Sequence, residues 1–469
     1  MEFDAVIGLE IHIEMNTKSK MFSSAPVAFG GQPNTRVFPL DMAFPGAMPV
    51  INKQAVINAI RVCNALHMTI DNELWFDRKN YFYSDLAKGY QITQHRRPLG
   101  RDGYLDIGEK RINIDCLIIE EDTCKQIHYQ DWSLLDYNRS GIPLIEIVCA
   151  PELNSGEEAK TFVEQVRSIV TFLGVSNGKM EEGCLRCDVN VSIKEKGNEK
   201  LGEKVEIKNI NTLNNIKNAV DYEIKRQIQI VESGKRIIKE SRRYDEGKKE
   251  TIKMRLKTDS IDYKYFTEPN LVPIKLSQEF IEQAINTSPE LAEERLFRYQ
   301  TLGLSEYDAK LLIANKETSD YFDETISLGA NPKLAANWIN VDIQSILKKN
   351  DLDIKDFSIQ PKRLSDLLKL IEDKRISNKQ ARELFKNMLK CSSSVLELLN
   401  ENTQMLDDEE CIKQMVNKLL DENINLVNAY KNGKDRIVGF VVGQLMKNTN
   451  GNIEPSLANK IVREELQRR

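Results

Sequence analysis

Ala5-Val-Ile-Gly-Leu-Glu-Ile-His-Ile-Glu-Met15 alternates apolar side chains with groups that can bind a ligand. A strand turns successive side chains to opposite faces, so Glu10, His12 and Glu14 share one face while Leu9, Ile11, Ile13 and Met15 share the other. The apolar face predicts a buried sheet. The opposite face, taken alone, is more often a half-solvated surface than a site.

Further strands outward from this one carry the same signature. Ile112 to Ile119 runs straight into Glu120-Glu121-Asp122, and Leu144-Ile-Glu-Ile-Val148 sets Glu146 among apolar residues. Asp188-Val-Asn-Val-Ser192 aligns Asp188, Asn190 and Ser192, and Val205-Glu-Ile-Lys208 adds Glu206 and Lys208. A carboxylate inside an apolar run is costly unless it is protonated, paired or bound to metal, and Glu146 is the clearest case. Oxygen donors with one imidazole suit Mg²⁺ or Mn²⁺ better than zinc, which favours sets of Cys and His. Such cations commonly carry the phosphates of a nucleotide. Gly174-Val-Ser-Asn-Gly178-Lys179 is nevertheless one residue short of a P-loop, and no GxGxxG occurs.

These strands belong to a first part, ending near residues 275–295, that reads as α+β with mainly antiparallel strands. Ser155 and Glu158 predict a capping box. It opens a helix whose apolar stripe runs through Phe162, Val163, Val166, Ile169, Val170 and Leu173 and stops at Gly174. A second helix follows Thr212, with Ile216, Val220, Ile224, Ile228 and Val231 as its stripe. Residues 288–398 are helix-periodic, with breaks at Gly303, Gly329-Ala-Asn-Pro332 and Pro361. A last helical block, 402–469, has turns at Asn432-Gly433 and Asn450-Gly451.

The 469 residues exceed one ordinary core, and 41% apolar with 29% charged residues describe a globular, soluble chain. Neither a signal segment nor an apolar run of membrane-crossing length is present, so a cytoplasmic protein without membrane contact is expected. Eight scattered cysteines predict free thiols, and Cys184-Leu-Arg-Cys187, a lone CxxC without a nearby His, predicts neither zinc nor redox chemistry. No Ser-His-Asp or Cys-His nucleophile set stands out among the four histidines. The net charge of -5 argues against a nucleic-acid coat, yet Lys225 to Lys257 and Leu426 to Arg469 are locally basic. A solvated helix face is the ordinary reading of each.

Six motifs, in order along the chain, carry a resemblance. They are Val6-Ile-Gly-Leu-Glu-Ile-His12, Lys88-Gly-Tyr-Gln-Ile92, Glu120-Glu-Asp122, Asp136-Tyr-Asn-Arg-Ser-Gly-Ile-Pro-Leu-Ile-Glu-Ile147, Met180-Glu-Glu-Gly-Cys-Leu-Arg-Cys-Asp-Val-Asn190 and Glu206-Ile-Lys-Asn-Ile-Asn211. Together they resemble the GatB family, the B subunits of the aspartyl/glutamyl-tRNA amidotransferases. Asn331-Pro-Lys-Leu-Ala-Ala-Asn-Trp338 and Gly439-Phe-Val-Val-Gly-Gln-Leu-Met-Lys447 are similar to the helical domain and YqeY-like tail of that family.

The resemblance implies a mainly antiparallel catalytic cradle (1–290), an all-α helical domain (291–400) and a YqeY-like tail (401–469). It further implies ATP-dependent phosphorylation of Glu or Asp on misacylated tRNA, followed by amidation with ammonia. The expected partners are an amidase and a small third protein, which complete a heterotrimer, together with the tRNA. Glu10, His12, Glu120 and Glu146 are the implied Mg²⁺ ligands, with Mn²⁺ as an alternative. Glu121, Asp188 and Glu206 are candidates for a second cation or the mouth of an ammonia channel, and Lys88, Arg139 and Arg186 for phosphate contact. In the basic tail, Lys431, Lys434, Arg436 and Lys447 are candidates for tRNA backbone contact.

Two departures stand out. Where many members hold a structural zinc with two cysteine pairs, this chain has Met21-Phe-Ser-Ser-Ala-Pro26 and Val37-Phe-Pro-Leu-Asp-Met-Ala-Phe-Pro-Gly46, so no zinc is expected. Asp262 to Leu271 has Thr267 and Asn270 in place of the usual Pro and Asp. The alternatives are a non-catalytic tRNA scaffold of the same fold, against which the retained carboxylates speak, and an ATP-dependent ligase that acts alone.

Overall fold

In the computed structural model, which describes residues 2–198, 200–256, 262–391, 393–399, 409–431, 436–449 and 453–469, the alternating segment forms β1 (Phe3–Glu14). It runs through the interior of a nine-stranded sheet. The other strands are β2 (Thr69–Ile70), β3 (Gly100–Ile107), β4 (Lys110–Glu121), β5 (Pro143–Cys149), β6 (Leu185–Glu195), β7 (Val205–Lys208), β8 (Glu240–Asp245) and β9 (Glu250–Leu256). Their order across the sheet is β9-β8-β7-β6-β1-β5-β4-β3-β2. Every pairing is antiparallel except β7 with β8.

The two faces of β1 differ as the alternation requires. Ile7, Leu9, Ile11 and Ile13 are sealed, and their core includes Val56, Ala59 and Ile60 of α1 (Lys53–Ala65) and Phe162, Val163 and Val166 of α2 (Gly156–Phe172). Each such side chain contributes about 1.5–3 kcal/mol of burial. With helices covering one face, the other is left for polar groups.

Helix α2 starts as its sequence requires, Ser155 accepting from the backbone N–H of Glu158 at 3.1 Å. The reciprocal half of the expected capping box is not made. The Glu158 carboxylate instead takes the N–H of Asn154 at 2.9 Å and the ammonium of Lys110 at 2.7 Å, a stronger charged partner. Gly174, with φ +69, follows the last turn. Helix α3 (Leu213–Glu232) buries Ile216 and Val220, but its second half turns Glu223 and Gln227 inward and leaves Ile224 and Ile228 half-buried. The cause is Arg226 and Thr251, which bind the Glu223 carboxylate at 2.6 and 2.9 Å.

A three-stranded sheet of Phe266–Thr267, Asp77–Asn80 and Tyr90–Thr93 flanks the end of β4. Thr267 lies in this sheet and accepts a hydrogen bond from Arg96.

The chain divides into two compact units, Met1–Ala292 and Glu293–Arg469. The second unit contains a core built around Tyr299, Phe322, Trp338 and Leu367, and a separate one around Val416, Val441 and Ile461. The expected turns at Asn432-Gly433 and Asn450-Gly451 lie outside the described residues. Among the described residues, no helix is long and apolar enough to cross a membrane.

Candidate metal centre

Strand register brings the donors together. His12 lies opposite Glu146 of β5 on one side and Arg186 of β6 on the other, and Glu10 lies opposite Asp188. Glu120 enters from β4, two strands away, where it pairs with Leu144. The Nε2 atom of His12 is 3.4 Å from Glu146, 3.6 Å from Glu10 and 3.9 Å from Glu120. Among the described residues, Glu10, His12 and Glu146 are the one group of three or more His, Cys, Asp or Glu whose ligand atoms converge, all within 4.8 Å.

Three carboxylates around one imidazole create a strong demand for positive charge. Burial disfavours charge on His12, but its hydrogen bond to Glu146 and the charges of Glu146, Glu120 and Glu10 outweigh it and lift its pKa to about 9. Burial, then the Glu146 charge, raises Glu120 to about 7 and also raises Glu10. For Glu146 the burial penalty is outweighed by the His12 hydrogen bond and charge, which hold it below the usual carboxylate range. The imidazolium therefore supplies charge that a divalent cation could supply in its place. The donor set, three carboxylates and one imidazole, fits a hard cation.

A second acidic pair adjoins this cluster. Glu14, on the same face of β1, faces Asp122 rather than His12. Burial, followed by the charge of Asp122 and a shared hydrogen bond, pushes Glu14 up to about 8. Asp122 is drawn down to about 2, because the charges of Arg186 and Arg139 and the hydrogen bond from Glu14 exceed its burial penalty. Arg186 donates to Asp122 at 2.5 Å, and Arg139 binds the main-chain oxygens of Thr123 and Cys124 at 3.0 Å.

The remaining sequence candidates take separate places. Glu121 points away from Glu120, as alternation requires, and accepts from Lys88 at 2.8 Å and from the N–H of Ile92 at 3.1 Å. Asp188 pairs with Lys208, which also lies 3.4 Å from Glu206, and Ser241 donates to Glu206 at 2.8 Å. Cys184 and Cys187 are both buried, and burial pushes the Cys184 thiol up to about 11. Lys431, Arg436 and Lys447 are exposed, and Lys431 donates to the main-chain oxygen of Arg469. Lys434 lies outside the described residues.

One group was missed by the sequence reading. Lys79 is half-buried, and its pKa stays above the usual lysine value because Glu120, Tyr265, Glu146 and Tyr263 outweigh its burial penalty. Its own segment, Asp77-Arg-Lys-Asn80, is uniformly polar and gives no period from which to single it out.

Comparison with known proteins adds to this geometry. Residues 5–282 match the family model described as the GatB/GatE catalytic domain, and residues 320–466 match a GatB domain. The whole chain is 44% identical, over 476 residues, to the whole B subunit of an aspartyl/glutamyl-tRNA(Asn/Gln) amidotransferase from Geobacillus thermodenitrificans. A protein of the same name from Staphylococcus aureus is likewise 44% identical over 475 residues, with both chains fully covered.

Proposed function

Since the chain belongs to the family of aspartyl/glutamyl-tRNA(Asn/Gln) amidotransferase B subunits, we propose that its Glu10–His12–Glu146 cluster is the centre at which a misacylated tRNA is activated with ATP and converted to the amide. The product is Gln-tRNA(Gln) or Asn-tRNA(Asn). The amidase partner is the source of ammonia, and the small third protein completes the heterotrimer. The observation that carries this reading is the register of β1 against β5, which sets His12 3.4 Å from Glu146 with Glu10 and Glu120 close by.

The reaction runs in two steps. In the first, the γ-phosphoryl group of ATP leaves the β,γ-bridging oxygen, which departs with the bond's electron pair in ADP, and bonds to an oxygen of the side-chain carboxylate. In the second, ammonia bonds to the acyl carbon, phosphate leaves with the electron pair of the C–O bond, and the nitrogen loses a proton. Glu10, His12 and Glu146 would hold a divalent cation, Mg²⁺ in our reading, with Glu120 completing the donor set. Such a cation supplies charge neutralisation for phosphate oxygens. The chain's part is largely positioning. Antiparallel strands fix the donor spacing, and His12 binds metal only after losing its ring proton.

In this reading Glu121 and Lys88 hold the end of β4 against the small sheet, while Arg139 and Arg186 fix Asp122 at the rim. Asp188 and Glu206, with Lys208 between them, border the cluster beyond Glu10. Residues 291–400 form a helical domain and 401–469 a tail whose exposed cations meet the tRNA backbone. The cytoplasm, where aminoacyl-tRNA is made and used, is the corresponding location.

The test is amide formation by the complex reconstituted with the amidase and the small third protein, with ATP and Mg²⁺ omitted in turn and His12→Ala and Glu10→Gln assayed beside the unmodified chain. Dependence on both reagents, with collapse in both variants, supports the assignment. Activity indifferent to the substitutions overturns it.

A further inference from the structure

Facing the donor cluster is an ammonium group with no oxygen partner among the described residues. Lys79 stands on Asp77–Asn80, opposite Gln91, on the same face as Asp77, which lies opposite Thr93. Thr93 donates its hydroxyl to Glu120 at 3.1 Å, so this face of the small sheet is turned toward the cluster. The Nζ atom of Lys79 sits 5.0 Å from the centre of the Tyr263 ring. Tyr263 in turn meets Tyr81 and Tyr265 edge-on, and Tyr265 stacks on His95 with ring centres 3.8 Å apart. The Tyr263 ring thus backs the ammonium, and the carboxylates of Glu120 and Glu146 are near enough to act on its charge.

The neighbouring lysines behave differently. Lys88 is bound to Glu121 at 2.8 Å, Lys20 lies 3.4 Å from Asp41, and Lys208 is bound to Asp188. An ammonium carries three donors, and a ring face answers its charge without accepting those hydrogen bonds in the way an oxygen does. A partly desolvated cation with no oxygen partner among the described residues, beside a proposed metal centre, suits an anion that arrives with the substrate.

We propose that Lys79 is a catalytic residue that donates to a non-bridging oxygen of the phosphoryl group during its passage from ATP to the side-chain carboxylate. This rests on the cluster being the activating centre. The bond to the β,γ-bridging oxygen breaks, the bond to the carboxylate oxygen forms, and Lys79 keeps its proton throughout. Its contribution grows as negative charge spreads over the oxygens of the transferring group, so it acts on turnover more than on capture of the tRNA.

The experiment uses the reconstituted complex with Lys79→Met and Lys79→Arg. For Lys79→Met the expected result is a fall in kcat for amide formation of about 100-fold or more, the loss seen when one transition-state donor is removed. The KM for the misacylated tRNA and the glutaminase rate of the amidase partner stay within about threefold. Binding of ADP with aluminium fluoride, a mimic of the phosphoryl group in transfer, weakens about tenfold or more while ADP alone and Mn²⁺ bind as before. Lys79→Arg recovers part of the rate. Amide formation within about threefold of normal in Lys79→Met overturns the proposal. So does joint loss of ADP and Mn²⁺ binding, which marks a structural role. A parallel His12→Ala assay separates the two readings: full activity there rejects the centre itself, whereas an inactive His12→Ala beside an active Lys79→Met rejects Lys79 alone.

Discussion

His12 and Glu146 face one another directly across the β1–β5 ladder, with Nε2 3.4 Å from the carboxylate oxygen. The pair joins two competing states of one site, because the ring nitrogen can hold a proton or a metal ion but not both.

Cation affinity is therefore predicted to rise with pH up to about 9, the pKa of His12, by about tenfold per unit for the proton displaced there, and more steeply below about 7, where Glu120 must also lose a proton. The metal-free protein behaves oppositely. The pKa of His12 is raised above its ordinary 6.5, so the stability gained from its charge is complete below pH 6.5 and lost as pH climbs through 9. Calorimetric titration with Mn²⁺ from pH 6 to 9, and metal-free melting over the same range, should give trends of opposite sign. His12→Ala should abolish the melting trend attributable to this residue.

Glu14 is predicted to be neutral at pH 7 and to share its proton with Asp122. Its folded pKa of about 8 exceeds the ordinary 4.5, so the stability tied to its protonated form is lost as pH rises from 4.5 through 8. Glu14→Gln keeps a hydrogen-bond donor without a titrating proton. The melting temperature of this variant relative to the unmodified chain should climb between pH 5 and 8 and level off above, by about 2–4 °C for each kcal/mol. A flat difference would show that Glu14 is ionised in the fold.

Lys88 and Glu121 form a buried ion pair, so removing one partner should cost more than removing both. Lys88→Met strands the Glu121 carboxylate and is expected to cost about 3–5 kcal/mol. Adding Glu121→Gln should restore much of that loss, as read by urea unfolding. If Lys88→Met leaves stability unchanged but weakens nucleotide binding, the lysine serves the ligand instead.

In the tail, Lys431, Arg436 and Lys447 are solvent-exposed and suited to a phosphate backbone. Replacing all three with Gln should lower tRNA affinity and flatten the plot of log K against log salt by about 0.7–0.9 for every phosphate no longer neutralised. An unaltered slope, measured by filter binding across a salt series, would remove these residues from the interface.

Much of the site could be read from the chain because its donors sit on strands whose period is two. The faces of β1, the apolar run around Glu146 and the start of α2 after Ser155 are all local facts. Glu121 obeys the same period, turning to the other side of β4 from Glu120, but its partner there, Lys88, is supplied by the fold. Glu158 shows the limit of such reading, since Lys110, 48 residues away, helps draw off the carboxylate that the local capping pattern reserves for Ser155.

The sequence by itself determined which residues line each face of the strands that carry Glu10, His12, Glu146 and Asp188 and, through its ordered motifs, the family to which the chain belongs. It could not determine strand order or register, because pairing depends on contacts between segments more than 100 residues apart, such as His12 with Glu146. Nor could it single out Lys79, whose surroundings are assembled from Tyr263, Tyr265 and Glu120. Side-chain periodicity is a property of a short stretch of backbone and is written locally. The electrostatic field at a site is a sum over groups that only the folded chain brings together.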